Sequence, residues 1–173
     1  MRPAVYIPTR EALHAPEFVT VDFETANRLS PASACQVALV KVAGDRVVDQ
    51  LVTYLRPPEE YIRFDFTYIH GIERGDVEQA PTWYDIADDV HALVGELPVW
   101  AHNAPFDAAV WRALDAYYFT GTFPAQFYCT CRTARRLIPL EALWPWRSWQ
   151  GTLWQLADEL GVTHDVLADR LRT

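Results

Sequence analysis

Apolar runs bounded by turn residues recur along this chain, and their period changes part-way through it. Residues 18–23, 34–42 and 46–55 are short, rich in valine and leucine, and read as strands, whose side chains point to opposite faces in turn. Gly44-Asp45 supplies a hairpin turn between the second and third strands, and Pro57-Pro58 ends the meander. The Tyr68-Ile69-His70-Gly71-Ile72 turn then precedes a short helix. Thr82 caps a longer helix with Ile86, Val90, Leu93 and Val94 at helical spacing. Residues 98–101 form a short buried strand leading to Asn103 as an N-cap and Pro105 in the first helical turn. The apolar stripe of that helix is Phe106, Val110, Ala113, Leu114 and Tyr117. Residues 126–129 are the last predicted strand, followed by a helix through Leu137. A further helix covers 152–160 and closes at Gly161.

A three-strand meander followed by strands alternating with helices predicts an α/β fold: a mixed five-stranded sheet with helices on both faces. Residues 1–17, with Pro3, Pro8 and Pro16, read as an irregular arm, and 18–173 as a single domain. With 173 residues, half of them hydrophobic, the chain can bury a sizeable core. No stretch has the length of a membrane span, and the N-terminus lacks the apolar segment of a signal peptide. Of the three cysteines, Cys129 and Cys131 form a lone C-x-C, which reads as strand-end packing and not a zinc site. Three cysteines and no disulfide framework fit a reducing, cytoplasmic location.

A net charge of −8 argues against an extended platform for duplex nucleic acid, because counterion release needs a basic surface. It leaves room for an enzyme that takes a single strand end through metal ions, since bound cations neutralise nearby carboxylates.

The acids themselves carry the chemistry. In VDFETAN, Asp22 and Glu24 flank Phe23 at the end of the first strand, so both project from the same face. Two carboxylates set together repel each other unless a cation sits between them. AHNAPFD opens another strand-to-helix junction and supplies Asp107, and HDVLAD supplies His164 and, five residues on, Asp169. Oxygen ligands of this kind suit Mg²⁺ or Mn²⁺ and not zinc. Taken singly, each has a plainer reading: strand-end surface charges, an acid complementing a helix N-terminus, a solvated histidine.

In their order and spacing, VDFETAN, the IHGI turn at 69–72, AHNAPFD at 101–107, CTCRTARRLIP, TLWQLADELGV and HDVLAD resemble the DEDD-type 3′–5′ exonucleases with a histidine base. This is the branch of the DNA polymerase III epsilon subunit and ribonuclease T. The resemblance runs from Phe18 to Asp169 and implies a ribonuclease H-like fold. It implies that Asp22, Glu24, Asp107 and Asp169 hold two divalent cations, Mg²⁺ or Mn²⁺. His164 then takes the proton of the attacking water, with an unperturbed pKa of about 6.5. Single-stranded 3′ ends, DNA rather than RNA, are the implied substrate, with a nucleoside 5′-monophosphate as product and a role in proofreading or repair. Phe23, Thr25, Ala26, Ile69, His70, Asn103 and Phe106 are the candidate substrate contacts, with Phe106 and the Ile69-His70 turn stacking on or wedging the last bases. Arg132, Arg135 and Arg136 could meet phosphates, and Trp144, Trp146, Trp149 and Trp154 could stack single strands; a solvated basic face and core packing are the alternatives. Two departures stand out: Asp165 directly follows His164, and the chain stops at Thr173, so a short or truncated final helix is expected. The alternatives are an exonuclease-like module, catalytically weak, that docks on a DNA polymerase subunit or other replication partner, and an endonuclease on a ribonuclease H-like scaffold.

Overall fold

Strand β1 (Glu17–Thr25) shows the alternation that places the acids: Val19, Val21, Phe23 and Thr25 are buried, while Asp22 and Glu24 lie on the more open face. The strand runs two residues further than the hydrophobic run predicts, because β2 (Ala34–Ala43) pairs with it as far as Thr25. Glu24 lies opposite Gln36 and Thr25 opposite Ala34, so Cys35 is the extra residue of a bulge at the acidic end. The computed structural model describes residues 6–137. The chain divides into two compact units, 1–133 and 134–173, and the sheet belongs to the first.

Gly44 (φ 60°) turns the chain between β2 and β3 (Arg46–Tyr54), a conformation that suits a residue without a Cβ. The mixed sheet has the order β3-β2-β1-β4-β5, with β4 (Val99–Ala101) and β5 (Phe127–Cys129) parallel to β1 and the meander antiparallel. This is the predicted five-stranded arrangement.

Residues 6–16 include regular structure. Arg10–Leu13 form a one-turn helix α1, whose Thr9 Oγ1 accepts the Ala12 N–H at 3.2 Å. The Tyr6 carbonyl accepts the Cys129 N–H at 2.9 Å, and the Tyr6 ring meets Phe127 edge-on at 6.1 Å. The N-terminal stretch thus lies along the free edge of β5. The IHGI turn closes a helix: α2 (Thr67–His70) ends at Gly71 with φ 78°, and α3 (Arg74–Val77) follows.

Helix α4 (Trp83–Val94) begins at Thr82 as predicted, with a capping box in which the Thr82 N–H donates to Asp85 Oδ2 at 2.8 Å. Helix α5 (Pro105–Tyr118) starts one residue later than expected. Ala104, not Asn103, occupies the cap; Asn103 instead takes a left-handed conformation (φ 61°), which asparagine tolerates better than most residues. The buried stripe of α5 is Asp107, Ala108, Val110, Trp111 and Leu114, while Phe106 is 43% exposed. The predicted stripe was rotated because Trp111 dominates the packing. Phe23, Trp83 and Trp111 meet at 5.7–5.9 Å between ring centroids and form the centre of the core.

Asp115 holds the tryptophans in place. Its Oδ1 accepts from Trp83 Nε1 (3.0 Å), Thr120 Oγ1 (2.6 Å) and Thr122 Oγ1 (2.8 Å), and its Oδ2 from the Phe123 N–H (2.7 Å). Thr122 Oγ1 in turn accepts from Trp111 Nε1 at 2.9 Å. Asp115→Ala leaves the buried indole N–H without its acceptor and should lower stability by about 3 kcal/mol, read from urea unfolding; a loss under about 0.5 kcal/mol contradicts this role. Helix α6 (Thr130–Leu137) follows β5 directly. The predicted helix at 152–160 lies outside the described residues.

Candidate active site

Asp22 and Glu24 reach the site from one face of β1, and Asp107 reaches it from the first turn of α5. The approach of Asp107 has a specific cause. Strand β4 pairs with β1 only at Val19 and Thr20, so the N–H of Phe23, on that same edge, has no strand partner. Asp107 Oδ1 accepts it at 3.2 Å, across 84 residues of sequence. Asp107 is 1% exposed, whereas Asp22 is open to solvent and Glu24 is half-buried.

All three carboxyls resist ionisation. Burial, and then the Asp22 charge, push Asp107 up to about 7, against the opposing pull of the Phe23 N–H. Desolvation raises Glu24, helped by the neighbouring Asp22. Desolvation also raises Asp22, whereas His102 pulls it down.

Three mutually repelling carboxyls, one of them buried, are a donor set that fits a hard cation, whose charge would reverse each of these shifts. Among the described residues no group of three or more His, Cys, Asp or Glu closes tightly enough to hold an ion. His164 and Asp169, the remaining predicted members, lie outside the described residues, as do Asp165 and the tryptophans from Trp144 onward.

The candidate substrate contacts divide. The Phe23 ring is 2% exposed in the core and Ala26 is fully buried, so neither side chain can touch a substrate. The alternation that aims Asp22 and Glu24 outward necessarily turns Phe23 inward. Thr25 is 6% exposed at the end of β1. Phe106 and Ile69 are open to solvent, and Asn103 is exposed at the turn before α5. His70 makes backbone contacts: its Nε2 lies 3.2 Å from the Thr25 carbonyl, and its Nδ1 accepts the Ile72 N–H at 3.0 Å.

His102 was missed by the sequence reading, although it stands within AHNAPFD. Its Nδ1 lies 3.0 Å from Thr130 Oγ1, and with Thr20, Asp22, Val40 and Trp100 it lines a pocket of about 310 Å³ beside the acids. The available signal was its place, one residue beyond a strand that runs parallel to β1, which brings it level with Asp22.

The sequence profile of the exonuclease family matches residues 19–169. A putative bifunctional exonuclease/endonuclease protein of Mycobacterium tuberculosis is 32% identical over 148 residues, 78% of this chain and 22% of that protein. The 3′–5′ exonuclease DinG of Staphylococcus epidermidis is 31% identical over 91 residues, 52% of this chain and 10% of its own length. Among solved structures, exonuclease X in complex with 5′-overhanging duplex DNA superposes with a TM-score of 0.55 at 26% identity, covering 75% of this chain and 72% of that one. The chain belongs to the exonuclease family and has a ribonuclease H-like fold. It spans about a fifth of the first of these curated relatives and a tenth of the second. Enzymes of this family use divalent metal ions.

Proposed function

We propose that this protein removes nucleotides one at a time from single-stranded 3′ ends, DNA rather than RNA, in proofreading or repair. The observation that carries this reading is the gathering of Asp22, Glu24 and the buried Asp107 at one strand end, each held towards its protonated form. Family membership and the likeness to a nuclease bound to DNA support it.

In this reading Asp22, Glu24 and Asp107, together with Asp169, hold two divalent cations, Mg²⁺ or Mn²⁺. When bound, these supply charge neutralisation for the attacking and leaving oxygens of an in-line displacement. The chain's own groups do the rest. The Phe23 N–H holds one oxygen of the Asp107 carboxylate and leaves the other available to a cation. His164 accepts the proton of the attacking water, which adds to phosphorus as the 3′ oxygen of the next nucleotide departs, leaving a nucleoside 5′-monophosphate. Phe106 offers an exposed ring on which a terminal base can stack, worth about 1–3 kcal/mol, and Ile69 an exposed aliphatic side chain that can wedge against one. The partner in the cell is a 3′ end, presented alone or by a DNA polymerase subunit.

The test is digestion of 5′-labelled single-stranded DNA and RNA with Mg²⁺ or Mn²⁺. A ladder that shortens stepwise from the 3′ end, faster on DNA and abolished by EDTA, is the expected result. Internal cuts as first products, or activity that persists in EDTA, would reject it.

A further inference from the structure

We infer that His70 is a positioning residue: a neutral imidazole, protonated on Nε2, that pins α2 to the Thr25 carbonyl beside the acids and leaves strand contact to its exposed neighbours. The inference rests on the exonuclease reading for its kinetic consequence, but not for its structural one.

The tautomer follows from the partners. The backbone N–H of Ile72 can only donate, so Nδ1, 3.0 Å away, must present its lone pair. The proton of a neutral ring then sits on Nε2, where the Thr25 carbonyl, able only to accept, lies at 3.2 Å. Both nitrogens are thus engaged, Nδ1 by the Ile72 N–H and Nε2 by the Thr25 carbonyl, with the buried Cys35 Sγ also 3.9 Å from Nε2. Neither is left to take a proton from water or to donate to a phosphate.

The rest of the segment is braced to the same end of β1. The Ala26 carbonyl accepts the N–H groups of Asp65 (2.7 Å) and Phe66 (3.1 Å), and Asn27 Nδ2 donates to the carbonyls of Tyr61 (2.7 Å) and Arg63 (2.6 Å). Thr67 Oγ1 donates to the Ile72 carbonyl at 2.8 Å, closing α2 on itself. Ala26, Cys35, Ile72 and Val77 form a small separate core beneath. On this braced turn Tyr68 is 81% and Ile69 63% exposed, two large apolar side chains held out to solvent. A platform of this kind fixes Tyr68 and Ile69 relative to the end of β1, and His70 ties it to Thr25, the residue after Glu24.

The test uses the full chain and three variants. Glutamine places an amide N–H near the Nε2 position and can still donate to Thr25; asparagine can mimic only the Nδ1 acceptor; phenylalanine does neither. On a 5′-labelled single-stranded DNA with Mn²⁺, His70→Phe and His70→Asn should raise KM about tenfold, the worth of one hydrogen bond, with kcat within about twofold. His70→Gln should recover most of that loss. Long-range ¹⁵N–¹H spectra of the wild-type imidazole should show a protonated Nε2 and an unprotonated Nδ1. A kcat collapse at constant KM, recovery by asparagine instead of glutamine, equal defects in all three variants, or a Nδ1–H tautomer each overturn the inference. Should the wild-type protein leave every 3′ end intact, the exonuclease reading fails, and the tautomer spectrum still decides the role of His70 in the fold.

Discussion

Asp107→Asn should reduce Mn²⁺-dependent release of nucleotides by at least about 10²-fold, more than the loss usually seen when only a residue supporting a metal ligand is changed. The fold should persist. An asparagine Oδ1 can still accept the Phe23 N–H that Asp107 now takes at 3.2 Å, so the tie between α5 and β1 survives. What disappears is a negative charge in a site where Asp22 and Glu24 already repel it. The variant should therefore be at least as stable as the parent at pH 8 without metal, yet gain less from added Mn²⁺, because a ligand stabilises only in proportion to its preference for the native state. Parallel thermal melts and digestion assays separate these effects. A variant that keeps its full Mn²⁺ stabilisation would show that Asp107 is not a ligand.

The second large effect is on stability against pH. In the unfolded chain Asp107 titrates near its ordinary 3.8, and in the native protein near 7. Between those values the native state holds a proton that the unfolded state has released, so stability must fall as pH rises. The contribution is fully present below about 4 and gone above about 7. At 1.36 kcal/mol per tenfold it amounts to on the order of 4 kcal/mol. Asp22 and Glu24 are shifted in the same direction and add to the trend. Urea midpoints measured with EDTA from pH 4.5 to 8 should decline for the parent and much less for Asp107→Asn. Saturating Mn²⁺ should flatten the curve, because the bound cation favours the ionised carboxylates. Parallel curves for parent and variant would show that Asp107 ionises normally.

How far the chain can be read without its structure depends on the range of the interaction concerned. Local pattern was enough for β1: alternation alone put Asp22 and Glu24 on one face and, by the same rule, Phe23 on the other. The Thr82 capping box, the Gly44 turn and the strand order of the meander are likewise short-range, and each appears where the sequence places it. The identity of the acids, and the family pattern they match, needed no coordinates. Their environment did. That Asp107 is buried follows from β4 pairing with only two residues of β1, which leaves the Phe23 N–H to be met from 84 positions away. The stripe of α5 was misjudged because Trp111 and Asp107, unlike in pattern, share the inward face, and the exposure of Phe106 is what remains. The partners of His70, the Thr25 carbonyl and the Ile72 N–H on its two nitrogens, likewise come from backbone that no local pattern announces. Periodicity reports which side chains avoid water along one element. Which polar groups are then desolvated, and by what they are satisfied, is settled only when distant segments meet, because a buried donor or acceptor takes whatever partner the packing brings to it.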